Sequence, residues 1–586
     1  MIRQAYSLLP TASNTSSPTF ISKTRFFSRK IYIVFLAALW ILLGLWGILI
    51  TLDDSVEQLN AWREDAVVSW RQANGWKAKV VGWLPQDKVN EKAECKGWDP
   101  LLPEELDPVE CFKARQYRQT KRVLEREMEL QQWVTVTGWC GETDLHPSDH
   151  WYFTVEHNRE TLQNMTRCFL PVADPNYISC PERPLVLSGW WYTAEVLNGA
   201  TTGEVVWQRS VVKQLAMLGY FFVTVGPYKN WITVSEMMPD VYAVLWNSDV
   251  DIVSCITDPR CVAKEHYVPP DDAEDLSIDI PDKERGVIPL WALNVVDYWG
   301  ARPKEISNND YWWGLKEEGD WSFQPLGQEW IATPWPLPSH SHLPYTMEDT
   351  CLALPITPQA ERLDSALLLA KRSAYFHYHH VSPPSFWSNL TLIDGVGLIS
   401  TSNVDEGKPL PTGIETIGRK SVDEYTKLVG GVKAMIGIGA PVISPSAYTS
   451  LCQATPFVVP IFYEPPVDSE WRHYSGYSQH GPALRLGEPY VYSYHAHNYT
   501  SLLDAVKRAM TTPIEPYIPD DMRYDYALPK LQEYLNRDLE AMMEEKVLRN
   551  GGRIPRLLKG ARERCYELNR CRPLLESGRI PAVPVS

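Results

Sequence analysis

The chain has 586 residues, a formal net charge of −16, and hydrophobic and aromatic fractions of 44% and 11%. That length can bury two or three sizeable cores, and the composition is globular rather than disordered or fibrous. The acidic balance argues against nucleic acid as a partner.

The first thirty residues carry Arg3, Lys23, Arg25, Arg29 and Lys30 and no acidic residue. Ile31–Leu52 follows as 22 positions without a charge, and Asp53 and Asp54 come directly after. An uncharged run of that length crosses a bilayer, and the basic flank stays cytosolic. A cleaved signal peptide would have a shorter apolar region. The expectation is a cytosolic tail over 1–30, a signal anchor over 31–52, and the remainder in the lumen as a single-pass type II protein. The lumenal part carries about −21, the overall −16 less the five positive charges of the tail.

All 11 Cys lie beyond the span, as expected in an oxidising compartment. Cys95/Cys111, Cys168/Cys180, Cys255/Cys261 and Cys565/Cys571 are candidate local bridges. The odd count leaves at least one thiol, for which Cys452 is the candidate. Asn164, Asn389 and Asn498 each open a glycosylation sequon on the lumenal side.

Residues 53–132 read as a stem. Within it, the charged segment Arg115–Gln132 has helical character and offers a surface for homodimer pairing. A Cys-bearing cap with short strands such as Trp133–Thr137 leads into an N-terminal α/β domain, the two together covering 133–365. Its apolar run Pro184–Leu187 reads as a strand. Glu204–Leu218 has Trp207, Val211, Leu215 and Leu218 at helical spacing and stops at Gly219. Phe221–Val225 and Val241–Trp246 read as further strands, whereas 260–345 reads as irregular and rich in Trp and Pro. Strand and helix in alternation predict a doubly wound α/β domain.

A second α/β domain covers 366–525. Ser421-x-x-Glu424 is a capping box at a helix start. Ala434–Ile438 fits a buried parallel strand, followed by a turn at Gly437, Gly439 and Pro441 and helix-start residues Ser444, Pro445 and Ser446. That helix runs through Leu451, and Phe457–Val459 is the next strand. Such a strand, glycine turn and helix start can present backbone N–H groups to a diphosphate, although an ordinary βαβ unit looks the same. Thr500–Met510 reads as a helix capped by Asn498 or Thr500. Leu528, Leu531, Leu535, Leu539 and Met542 form an amphipathic stripe in a C-terminal helix and tail over 526–586.

Gly437-Ile-Gly-Ala-Pro through Pro460, Ser478-Gln-His, Gly487-Glu-Pro-Tyr-Val and Ile514-Glu-Pro-Tyr-Ile-Pro together resemble glycosyltransferase family 18. Its members are the α-1,6-mannosylglycoprotein 6-β-N-acetylglucosaminyltransferases. The likeness is good over roughly 420–540, patchy over 184–375, and absent from the stem and tail. It implies a GT-B fold, two Rossmann-like domains facing a cleft. It also implies inverting, metal-independent transfer of GlcNAc from UDP-GlcNAc to the 6-hydroxyl of a mannose on a protein N-glycan, in the Golgi membrane. The partners would be a sugar nucleotide and a glycoprotein acceptor, with no cofactor.

Carried onto this sequence, the family's Gly-Glu helix start falls at Gly203-Glu204, which makes Glu204 the catalytic base. Its Thr-Pro-Trp falls at Thr333-Pro334-Trp335, which makes Trp335 the ring on the acceptor. Inverting transfer independently needs one carboxylate to take the acceptor proton. A glutamate in a first helical turn is also favoured by the dipole alone, and a Trp in a loop often serves as a buried anchor. The donor set is Gly439, Ser444, Pro445, Ser446, Thr449, Lys371, Arg472 and His480. Two family glutamates fall at Ile443 and Thr449, and Arg472 is the nearest stand-in for a family lysine. Losing a ribose-holding carboxylate costs roughly 1–3 kcal/mol. A carbohydrate-binding scaffold without donor binding, or a transferase using another sugar nucleotide, are therefore alternative readings.

Asp249-Val-Asp251 is a DxD, which in other glycosyltransferases holds a divalent metal; here a strand end with one Asp in solvent is the simpler reading. His377 and His379 would share one face of a strand, with His380 beside them, but no third metal ligand is evident.

Overall fold

The computed structural model describes residues 152–555, apart from 226–231, 233, 236, 239–240, 269–279, 283–284, 299–323, 338 and 464–477, together with scattered positions of 113–124. The expected anchor over 31–52, most of the stem, Trp133–Thr137, Cys95/Cys111, Cys565/Cys571 and Arg472 lie outside the described residues. Among the described residues no helix is long and apolar enough to cross a membrane.

Two six-stranded sheets form the frame. The N-terminal lobe holds β1 (Leu185–Ser188), β2 (Phe221–Thr224), β3 (Tyr242–Asn247), β4 (Leu293–Val296), β5 (Ile331–Thr333) and β6 (Ser341–His342). The C-terminal lobe holds β7 (Leu363–Leu369), β8 (Gly397–Ser400), β9 (Ile414–Thr416), β10 (Val432–Gly437), β11 (Phe457–Ile461) and β12 (Val491–His495). All sheet pairings are parallel. The orders are β2-β1-β3-β4-β5-β6 and β12-β11-β10-β7-β8-β9. Each order reverses direction once, between β1 and β3 and between β7 and β10. Open α/β sheets bind ligands outside the strand ends at such points. The two Rossmann-like lobes expected of a GT-B chain are present.

Central strands are buried on both faces, so they read as unbroken apolar runs such as Leu185-Val-Leu. The helices carry the side-chain periodicity: α1 (Val155–Met165), α2 (Gly203–Met217), α3 (Asp249–Ile256), α4 (Val422–Gly430), α5 (Ser446–Cys452), α6 (Tyr499–Thr511), α7 (Tyr524–Leu535) and α8 (Leu539–Arg549). Gly219, at φ +81°, lets the chain leave α2 in the left-handed conformation. Ser421 and Glu424 form the predicted capping box on α4, and Asn498 is the residue that caps α6.

Several expectations change. The segment read as irregular over 260–345 contributes β4, β5 and β6, each too short to show a period. The C-terminal stripe is two helices, because Asp538 caps a fresh start through Ala541 N at 2.9 Å. Part of the presumed stem is structural: residues 113–124 are helical where described, and Val123 lies in the N-lobe core. Cys452 is bridged to Cys351, while Cys168–Cys180 and Cys255–Cys261 pair as expected.

The lobes share one core. Trp207, Val244 and Trp335 of the first lobe and Leu367, Met435 and Val459 of the second belong to a continuous buried cluster. The chain also returns: Tyr534 of α7 accepts from Trp246 Nε1 at 2.9 Å and donates to Asn294 Oδ1 at 3.0 Å, which fastens α7 to β3 and β4.

Candidate functional site at the lobe junction

The C-lobe half of the site begins where β10 ends. Gly439 adopts φ +111°, and a Cβ there would lie 2.6 Å from Val381 Cγ1, so both conformation and space demand glycine. Gln479 holds the turn. Its Oε1 accepts from Gly439 N at 2.8 Å and its Nε2 donates to Pro441 O at 2.8 Å. Gly437 leaves room for that amide, since a Cβ there would sit 2.2 Å from Gln479 Oε1.

His480 is fully buried, and its Nε2 donates to Ser444 O at 2.6 Å. Burial lowers its pKa to about 4, with the Ser444 bond opposing. It is therefore a neutral brace for the turn and not the cation a diphosphate would need. Helix α5 follows, but it is only seven residues long, and its first N–H, at Ser446, already bonds Ser444 Oγ at 3.3 Å. Its dipole is correspondingly weak. Thr449 is buried and donates to Pro445 O at 3.4 Å, a bond within its own helix. The other end of α5 is fixed by Arg362, which donates to Gln453 O at 2.9 Å, Ala454 O at 2.6 Å and Thr455 Oγ1 at 3.1 Å. A cation at a helix C-terminus also suits the dipole.

The N-lobe half is the start of α2. Gly203 and Glu204 open it, and Glu204 is half-buried in the first turn. A Cβ on Gly203 would lie 2.9 Å from Tyr298 Oη and 3.1 Å from Pro445 Cδ. The expected base and the turn before α5 are thus brought together across the junction. Burial first, and the Glu204 carboxylate second, push the Tyr298 phenol well above its usual range. The rest of α2 is locked in place: Trp207 Nε1 donates to Leu343 O at 2.8 Å and Gln214 Nε2 to Pro344 O at 3.0 Å.

Trp335 is in the core, not on an open face. Its Nε1 donates to Tyr298 O at 2.6 Å, and its ring stacks with Tyr448 at 6.3 Å and meets Tyr345 and His480 edge-on. With 1% exposure it has no free face for a sugar in this conformation. Sequence reading found Trp335 but missed Tyr298, Tyr345 and Tyr448 around it. Each is an isolated tyrosine in sequence; only the pairing of the two lobes assembles them. The Tyr345 and Tyr448 hydroxyls are buried without a hydrogen-bond partner. Gln479 lies inside Ser478-Gln-His, where the titratable histidine is the more conspicuous residue in sequence.

Lys371 is exposed immediately beyond β7, at the C-lobe reversal point, and makes no ion pair among the described residues. Asp249 and Asp251 are in the first turn of α3, not at a strand end. Asp251 N bonds the Ser248 cap, whose Oγ donates to Asp251 Oδ2 at 2.9 Å, so the DxD is a helix start. His377 closes a 3-10 turn over Ser373–His377 and not a strand; its ring bonds Pro409 O at 3.0 Å. Among the described residues no group of three or more His, Cys, Asp or Glu is arranged to hold a metal ion.

No family model matches the chain. The chain is similar to the curated alpha-1,6-mannosylglycoprotein 6-beta-N-acetylglucosaminyltransferase A of Homo sapiens, with 20% identity over 366 residues. The match covers 60% of this chain and 46% of that protein. The Mus musculus protein of the same name matches to the same extent. The chain thus spans about half the length of these relatives. Among solved structures it is similar to Anabaena Alr3699/HepE in complex with UDP and glucose, with 9% identity and a TM-score of 0.26, over 63% of this chain and 99% of that one. It is also similar to the glycosyltransferase SnogD from Streptomyces nogalater, with 14% identity and a TM-score of 0.23, over 62% and 98% of the two chains. The fold is defined here by the two sheets themselves.

Proposed function

We propose that this protein is a glycosyltransferase that moves GlcNAc from UDP-GlcNAc onto the 6-hydroxyl of a mannose in a protein N-glycan, with inversion. We place it in the Golgi membrane with its α/β lobes in the lumen. The observation that carries the reading is the meeting of the Gly203-Glu204 helix start with the Ser444–Ser446 turn across the junction. The partial likeness to mannosylglycoprotein N-acetylglucosaminyltransferases supports it.

In this reading the Glu204 carboxylate takes the proton from the acceptor hydroxyl. That oxygen attacks the anomeric carbon as the bond to UDP breaks, and the electron pair leaves on the diphosphate. The turn held by Gln479 borders the leaving group, and Lys371 adds positive charge. No step calls on a metal.

A second reading, a carbohydrate-binding scaffold that does not hold a nucleotide, is favoured by one specific observation. Thr449, which stands where the family has a carboxylate, spends its hydroxyl on Pro445 O. Calorimetry with UDP, UDP-GlcNAc and GDP-mannose, followed by mass analysis of a mannose-terminated acceptor, separates the readings. Binding of UDP-GlcNAc with a gain of one N-acetylhexosamine supports the first. No binding to any nucleotide leaves the scaffold, and a preference for GDP-mannose replaces the donor.

A further inference from the structure

We propose that His379, His380 and His497 form an anion-binding patch beside the glycine turn, which takes a phosphoryl group and tightens as the pH falls. Separate segments bring the three histidines to one place. His379 and His380 follow the turn after β7, with ring centroids 5.2 Å apart. His380 meets the Phe462 ring edge-on at 5.3 Å. The loop carrying His497 is tied to the same place: Ala496 N donates to Ile461 O at 3.0 Å, one residue before Phe462, and Asn498 N to His495 O at 2.9 Å.

Phe462 also faces the other way. A Cβ on Gly439 would lie 3.3 Å from its Cε1, and Val381, next to His380, is the closest neighbour of that glycine. The patch therefore borders the turn assigned to the donor phosphates. His379 and His497 are exposed and His380 is half-buried.

The charges around the patch point to an anion. His380 faces His379 and Tyr378 from its own segment, His497 from the loop after β12, and the uncharged Phe462 ring from the end of β11. Arg372, further along the same segment, is paired with Asp405 at 2.6 Å. Burial first, then His379 and His497, lower the His380 pKa below 6.5. Positive charge at His379 or His497 thus disfavours a proton on His380, and a bound oxyanion relieves that repulsion. Binding must then take up protons, so affinity rises as the pH drops through the imidazole range.

The test is calorimetry on the full chain with sodium sulfate, whose charge is constant over this range, at pH 7.5 and 5.5. Sulfate should bind about tenfold tighter at pH 5.5, the effect of one unit of linked pKa shift. Runs at pH 6 in two buffers of different ionisation enthalpy should show net proton uptake. Both effects should vanish in His379→Asn/His380→Asn/His497→Asn, with thermal unfolding at pH 7.5 checking its fold. Equal sulfate affinity at both pH values, or no proton uptake by the unaltered chain, overturns the patch. So does a folded variant that keeps both effects.

The link to a sugar nucleotide rests on the proposed function, whereas the patch itself does not. UDP-GlcNAc binding that tightens at pH 5.5 and loses this dependence in the variant assigns the phosphoryl group to the donor. If UDP-GlcNAc binds at neither pH while sulfate behaves as described, the donor reading falls and the patch stands.

Discussion

Gly203 and Pro445 stand on different lobes, 242 positions apart in the chain, and the space between them is too small for a methyl group. A Cβ on Gly203 would sit 3.1 Å from Pro445 Cδ and 2.9 Å from Tyr298 Oη. This closeness brings the start of α2, which carries Glu204, beside the turn before α5. Gly203→Ala should therefore strain the junction, because Pro445 is ring-constrained and Tyr298 is packed on all sides. The expected cost is about 1–3 kcal/mol in urea unfolding. An unchanged midpoint would mean that the junction yields freely and does not position Glu204.

Glu204→Gln removes the base and leaves the shape. If Glu204 takes the acceptor proton, turnover should fall at least about a hundredfold, the usual contribution of a positioned general base. UDP-GlcNAc affinity should not change. Turnover within a few-fold of the unaltered chain would remove Glu204 from that role.

The parts of this site that could be read from sequence are those set by local rules. Gly219 stops α2, Ser421 and Glu424 cap α4, and Gly439 marks a turn because each acts within a few residues. The apolar runs of β1, β3 and β10 were readable because strands buried on both faces leave no alternation to confuse. What was not readable depends on contacts between distant segments. Cys452 has no local partner in the sequence because its partner, Cys351, is 101 residues away. Trp335 suggested an open ring, yet its surroundings come from Tyr298, Tyr345, Tyr448 and His480 on both lobes. β5 and β6, of three and two residues, are defined only by their neighbours in the sheet.

Gln479 holds the glycine turn with two hydrogen bonds from one buried amide. Gln479→Leu keeps much of the volume but leaves Gly439 N–H and Pro441 C=O without their partner. Each stranded group costs about 1–3 kcal/mol, so a fall of several kcal/mol in stability is expected. Weaker UDP-GlcNAc binding should accompany it, because the same turn faces the proposed donor. Loss of stability with unaltered nucleotide affinity would separate the turn from the donor site.

The Cys351–Cys452 bridge ties the crossing segment between the lobes to the last residue of α5. Among the described bridges it closes the longest loop and so restrains the unfolded chain most. Cys351→Ser/Cys452→Ser should lose about 2–5 kcal/mol. Removing Cys255–Cys261, which closes a separation of only six residues, should lose less. Thermal unfolding of the two variants side by side checks the order, and equal losses would contradict it.

Two buried histidines weaken the fold in acid. His480 is lowered to about 4 and His342 to about 3, in both cases mainly by burial. In the unfolded chain both return to the ordinary imidazole value near 6.5. Between these values the unfolded state binds protons that the folded state refuses, so stability must drop as the pH falls. The stabilisation is complete above pH 6.5 and is lost progressively towards pH 4. For His480 the fall from 6.5 to about 4 corresponds to about 3 kcal/mol. His480→Asn should flatten this dependence, since asparagine tolerates the φ of +53° found there and does not titrate. Urea midpoints at pH 7 and pH 5 measure both slopes. Equal slopes for the variant and the unaltered chain would show that His480 does not limit stability in acid.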